Sequence, residues 1–166
     1  MPNLTWGTER NIENSLIEFL QTQLSSYNVL DLDGNTKSIS VRVGFTPNDT
    51  WELPVVSAYA DSRTAPRLSI GSNERLNSYL IVMDIRAFDA GMQQDLVDIV
   101  IEKLNDGFPY YVYTPSGDPQ NPTKVLSGYV SIEFVSNVPV RFGDSVDMIE
   151  KFRQNITVSC FIESKI

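Results

Sequence analysis

The stretch Tyr79-Leu80-Ile81-Val82-Met83-Asp84-Ile85-Arg86-Ala87-Phe88, followed by Asp89 and the run 90–106 ending at Gly107, decides the fold. Leu80 to Met83 are apolar at successive positions, so both faces of this strand are covered, as at the centre of a sheet. After Asp84 the pattern alternates. Asp89 suits a helix N-cap. Met92, Leu96, Ile99, Val100 and Leu104 then recur at helical spacing. Val97 and Ile101 widen that stripe and point to a second partner surface. Gly107 fits the position just past a helix, and Pro109 bars its continuation.

Toward the C-terminus, Phe108–Tyr113 is aromatic-rich and extended. Residues 114–123, with Pro115, Pro119 and Pro122, read as a hairpin loop. Lys124–Val135 is a long strand, with Leu126, Val130, Ile132 and Phe134 facing one way. Gly143–Lys151 reads as a short helix. Phe152–Ser164 closes the chain as a strand, with Ile156, Val158, Cys160 and Ile162 on one face and Thr157, Ser159, Phe161 and Glu163 on the other.

Toward the N-terminus, residues 61–77 form a polar connection containing Pro66, Gly71 and a short extended piece, Arg67–Ile70. Leu53–Ala60 is extended, and Pro54 near its start points to an edge position. Thr46–Glu52 is a loop around Pro47-Asn48-Asp49. Ser38–Val43 alternates, with Ile39, Val41 and Val43 on one face, as a half-buried strand does. Asp33-Gly34 marks a tight turn. Residues 8–24 repeat Ile12, Leu16, Phe19, Leu20 and Leu24 at helical spacing, with Thr8 as N-cap and Glu9 favourable in the first turn.

These elements make an α+β domain: one mostly antiparallel β-sheet, two main helices packed on one face, and extended hairpin loops. The core unit is the order β-α-β-β-β over 79–164. At 166 residues with 42% hydrophobic and 20% charged side chains, the chain is a single globular domain over 1–166.

Counting removes several chemistries. There is no His, hence neither the commonest general base nor the commonest metal ligand. The lone Cys160 excludes a disulfide or a Cys-based zinc site within one chain. No apolar run approaches the roughly 20 residues of a membrane helix. Met-Pro-Asn-Leu-Thr-Trp-Gly-Thr-Glu-Arg at the start has no basic region followed by an apolar stretch, so no signal peptide is expected. Synthesis in a reducing cytoplasm fits this pattern. A net charge of 13 − 21 = −8 disfavours duplex DNA and anionic membranes.

Individual candidates weaken on inspection. Asp31, Asp33 and Asn35 resemble the start of a calcium loop, but Gly34 stands at position four and Arg42 at position twelve, where that loop needs Gly at six and Glu at twelve. Cys160 lies in an alternating strand without a base and reads as packing. Asp95, Asp98 and Glu102 share a helix face that reads as the solvated side of an amphipathic helix. Ser69-Ile70-Gly71-Ser72 lacks the glycines and Lys of a phosphate loop. Arg63, Arg67 and Arg75 are the one basic concentration. Their long connection reads either as a mobile surface loop or as an arm docking on the acidic surface of a neighbouring copy. With Asp118 in the loop 114–123, they are the expected subunit or tube interface.

Placed in order, the elements resemble a known family. The resemblance rests on an N-terminal helix, then Leu53-Pro54-Val55-Val56, then Ala65-Pro66-Arg67-Leu68-Ser69-Ile70-Gly71. It continues through Tyr79–Phe88, a helix around Asp95-Leu96-Val97-Asp98, and Arg153-Gln154-Asn155-Ile156-Thr157-Val158-Ser159-Cys160. Over most of its length the chain is similar to the tail terminator (tail completion) proteins of long-tailed bacteriophages, the lambda-type neck proteins. The resemblance implies a structural virion protein of the tail neck, made in the host cytoplasm. It implies a hexameric ring that caps the tail tube, ends its polymerisation and presents the surface joining tail to head. The implied partners are further copies of the chain, the tail tube protein and the head–tail connector. DNA would pass through the lumen without specific binding, and no membrane is involved. No enzymatic activity, cofactor, metal or catalytic residue is implied. The alternative role is a head-completion or connector protein of the same neck. A carboxylate-using enzyme and a ligand-binding module are the remaining readings.

Overall fold

The computed structural model describes residues 6–44, 52–64, 77–116, 122–140 and 152–164. Helix α1 (Thr8–Leu24) buries Ile12, Leu16, Leu20 and Leu24, one residue per turn, as their spacing requires. Its N-cap is Gly7 rather than Thr8: Gly7 is extended, its carbonyl accepts from the Asn11 amide at 3.0 Å, and Thr8 is already helical.

The alternating run 38–43 is not one strand. β1 (Asn28–Leu30) and β2 (Thr36–Ser38) pair as a separate antiparallel hairpin, while β3 (Ser40–Val43) joins the main sheet, parallel to β4 (Val55–Thr64). The break at Ile39 lets one apolar pattern serve two sheets. Nor is β4 an edge strand, for it lies between β3 and β5 (Ser78–Arg86). Pro54 is tolerated because it precedes the first paired residue, and its carbonyl accepts from Ser40 N at 3.0 Å.

After β5 comes α2 (Ala90–Leu104), capped by Asp89, whose carboxylate accepts the Met92 amide at 2.8 Å. Gly107 ends this segment with φ +78°, and a Cβ there would lie 2.1 Å from the Val130 carbonyl oxygen. Positive φ and close backbone approach both require glycine. Three strands complete the sheet: β6 (Phe108–Thr114), β7 (Thr123–Val140) and β8 (Arg153–Ser164), in the order β3-β4-β5-β8-β7-β6. Every pairing in it except β3–β4 is antiparallel. The expected hairpin between Phe108–Tyr113 and the following strand is present, with Thr114 opposite Thr123. The proposed helix at Gly143–Lys151 lies outside the described residues.

Register explains the core. Val56, Ile85, Ala58, Met83, Ile156, Ile81, Val158, Tyr79 and Cys160 stand opposite one another across β4, β5 and β8, and join the α1 and α2 stripes in one buried cluster. Leu80 and Val82 project to the other face and are only half-buried. Ile99 and Ile132, expected in the interior, pack half-buried against the cluster.

Helix α1 also ties up backbone at both ends of the sheet. The Glu13 carboxylate accepts from Ala60 N on β4 at 2.9 Å, and Gln21 donates to the Val41 carbonyl on β3 at 3.2 Å. On β6, Tyr111 N donates to Ser15 Oγ at 3.0 Å and Tyr113 N to Asn11 Oδ1 at 3.2 Å. In a flat sheet β4 and β6 would stand about 19 Å apart at 4.7–4.9 Å per strand. One turn of helix reaches both, so the sheet curls around α1.

Candidate functional site

Of the four residues expected at an interface, Arg63 is described; Arg67, Arg75 and Asp118 lie outside the described residues. Arg63 is not in a loop. β4 continues through Asp61–Thr64, past a register shift between Ala60 and Ser62, and pairs to its end with β5. Across from Arg63 is Tyr79, whose ring lies 5.5 Å from the guanidinium carbon; Arg63 also donates twice to Asn77 Oδ1, at 2.7 and 3.3 Å. The hairpin therefore carries an ordered, exposed cation to the point where the chain leaves the sheet.

The calcium-like residues form a turn. Asp31 accepts from the amides of Asp33 at 3.0 Å and Asn35 at 2.7 Å, and Gly34 takes φ +81°. The Asn35 amide, first among these contacts, holds the Asp31 carboxyl below its ordinary value. Among the described residues no cluster of His, Cys, Asp and Glu could hold a metal ion. The Cys160 thiol is fully buried, and burial pushes its pKa up to about 12, opposite to what a nucleophile needs. Asp95, Asp98 and Glu102 are exposed.

Sequence reasoning missed a buried polar cluster on the sheet face opposite the core. Ser57, Asp84 and Asn155 stand in one row across β4, β5 and β8, and Val55, Arg86 and Arg153 in another. Asp84 is completely buried. Its Oδ2 accepts from Arg86 Nε and Nη2, both at 3.0 Å, and its Oδ1 from Arg153 Nε at 2.6 Å. Ser57 Oγ and Asn155 Oδ1 are buried nearby without a hydrogen-bond partner among the described residues. Desolvation, with the charges of Asp61 and Asp84, raises the Tyr59 pKa beside this cluster. The sequence signal was the spacing Asp84-x-Arg86, which puts both side chains on one strand face.

Two surface features stand out. β6 pairs with β7 only as far as Val130, so residues 131–140 of β7 have β8 on one side and no strand on the other among the described residues. Phe134, Val135 and Val138 are exposed along this edge, the last two at 57% and 54%. Glu133, the register shift between Phe134 and Ser136, and Pro139 are devices that limit indiscriminate strand pairing at such an edge. The second feature is a groove of about 510 Å³ between the β1–β2 hairpin and α2. Ile39, Met92, Leu96 and Ile99 line it, Leu30 forms an exposed wall, and Asp89 and Asp95 supply acidic groups.

No described helix is long and apolar enough to cross a membrane. The chain matches no family model and no curated protein.

Proposed function

We propose that this chain is a structural subunit of a phage tail neck: a ring, by resemblance a hexamer, that caps the tail tube, ends its growth and meets the head connector. The observation that carries the reading is the distal half of the β7–β8 hairpin. It holds a long strand away from the helices with Phe134, Val135 and Val138 exposed, as an assembly surface does. The resemblance across the helix–strand order supplies the identity of the assembly. Both helices are read as covering the same sheet face; the support is that their stripes share one cluster with that face. A net charge of −8 suits a channel through which DNA passes without being held. The proposed role needs no reaction and no cofactor.

The test is polymerisation of the tail tube protein with and without this chain, read by negative-stain microscopy. Added protein should sit at tube ends and narrow the length distribution. Tubes of unchanged length with bare ends would overturn the terminator role, and binding to the head connector instead would place the chain on the head side of the joint.

A further inference from the structure

Every residue of β7 from Glu133 to Pro139 is exposed, while Ile156 and Val158, across from this stretch on β8, are fully buried. The strand is held from the β8 side, and its outer edge has no strand beside it among the described residues. A Cβ on Gly107 would lie 2.1 Å from the Val130 carbonyl oxygen, so Val130 turns its peptide groups toward β6. In an antiparallel ladder a residue's N–H and C=O point the same way, and neighbours alternate. Ile132 and Phe134 therefore turn theirs to the same side, past the end of β6. The register shift between Phe134 and Ser136 inserts one residue, so beyond it Asn137 and Pro139 face outward. Pro139 thus stands where the β8 ladder does not need its missing N–H.

The other edges of the sheet are closed or short. On β6, Pro109 has no N–H, and Tyr111 and Tyr113 give theirs to Ser15 and Asn11 of α1. β3 spans four residues, and its Val41 carbonyl accepts from Gln21. Where β4 runs past β3, Glu13 takes the Ala60 amide, and Asp61–Thr64 are polar. Among the described strands the long open edge is that of β7, and its pattern is complementary to itself. With Phe134 opposite Asn137 of a second copy, antiparallel pairing puts Ile132 opposite Pro139 and Glu133 opposite Val138. Every outward-facing residue then meets an outward-facing residue, and no like charges meet. The two-fold axis falls between Val135 and Ser136, at the register shift.

We propose that two copies pair edge to edge through residues 132–139 of β7, antiparallel and in this register. The second strand covers Phe134, Val135 and Val138, and Pro139 ends the ladder on each side. The contact is isologous, so it closes at two subunits and does not build the ring. It rests on the same exposed edge as the ring reading and gives that edge its partner away from the tube, where an uncovered strand would pair indiscriminately.

Cross-linking of the full chain tests the register. Glu133 and Val138 turn their peptide groups to β8, so across the axis they form a non-hydrogen-bonded pair with Cα atoms about 4.5 Å apart, within disulfide reach. Cys160 is buried, and the wild-type chain is the control. Under mild oxidation, a mixture of Glu133→Cys and Val138→Cys chains should link. Each alone should not, because equivalent residues lie roughly 16 Å apart along the strands. A chain carrying both changes should stop at a linked dimer. In sedimentation, Val138→Glu sets like charges against Glu133 and should raise the dimer dissociation constant about fivefold or more; adding Glu133→Lys should restore pairing. An unlinked mixture, a ladder of larger species from the double variant, or a wild-type chain that stays monomeric overturns the proposal. The tube assay separates the two readings. A monomeric chain that caps tubes refutes the pairing and leaves the ring standing, whereas a linked pair whose wild-type form ignores tubes leaves the pairing standing and refutes the ring.

Discussion

Replacing Asp84 by Asn tests the buried cluster most directly. The carboxylate is fully buried and receives three N–H donors from two guanidinium groups, whose side chains are 3% and 15% exposed. Asparagine keeps the shape and one acceptor oxygen. Its amide nitrogen, however, sets donor against donor, and two positive charges lose their shared countercharge. Removing one partner of a buried ion pair costs about 3–5 kcal/mol. Against a total stability of ~5–15 kcal/mol this is a large fraction. At about 2–4 °C per kcal/mol for a domain of this size, Tm should fall by roughly 6–20 °C. The comparison is Glu18→Gln. Glu18 pairs with Lys124 at the surface, where both side chains are about 40% exposed, so its loss should cost at most ~1 kcal/mol. Urea unfolding followed by circular dichroism measures both, and the midpoint should move without a change in m. If Asp84→Asn costs no more than Glu18→Gln, the cluster does not depend on Asp84, and the account of this face is wrong.

Leu96→Ala removes a buried side chain from the α2 stripe and should cost about 2–5 kcal/mol, read from the same urea curves; less than about a quarter of that would contradict helix-on-sheet packing there. The Cys160 thiol has its folded pKa raised to about 12 by burial, so the native state keeps its proton after the unfolded chain has lost it near 9. Its stabilising contribution is complete below the unfolded pKa and declines as pH rises toward the folded one. Tyr59, Tyr110 and Tyr113 are shifted upward mainly by burial and act with the same sign at higher pH. Wild-type stability should therefore fall more steeply than that of Cys160→Ala between pH 9 and 11, in chemical unfolding repeated across pH; parallel curves would mean the thiol is not shifted.

Local patterns determined much of this protein from sequence alone. The spacing of Ile12, Leu16, Leu20 and Leu24, the Asp89 cap, Gly107 and the alternation from Ile156 to Ile162 depend on neighbours one to four residues away, and the structure keeps each of them. The central place of β5 was legible from its four successive apolar residues, but the cover expected on both faces is complete for Ile81 and Met83 and only partial for Leu80 and Val82 on the other face. Tertiary structure decided what depends on partners far along the chain. The break at Ile39 follows from β3 pairing with β4 while β2 pairs with β1, and no local signal marks that choice. Pro54 pointed to an edge because its missing N–H was counted against β4, but pairing begins one residue later and the strand is interior. Arg63 moved from loop to strand because Asp61–Thr64, polar and unpromising in isolation, are held by β5. The Asp84 cluster formed for a related reason. Arg153 lies 69 residues from Asp84 and meets it only because β8 pairs beside β5 in the register that sets the two rows side by side. Periodicity shows which face a residue takes; only the pairing of distant strands settles what that face meets.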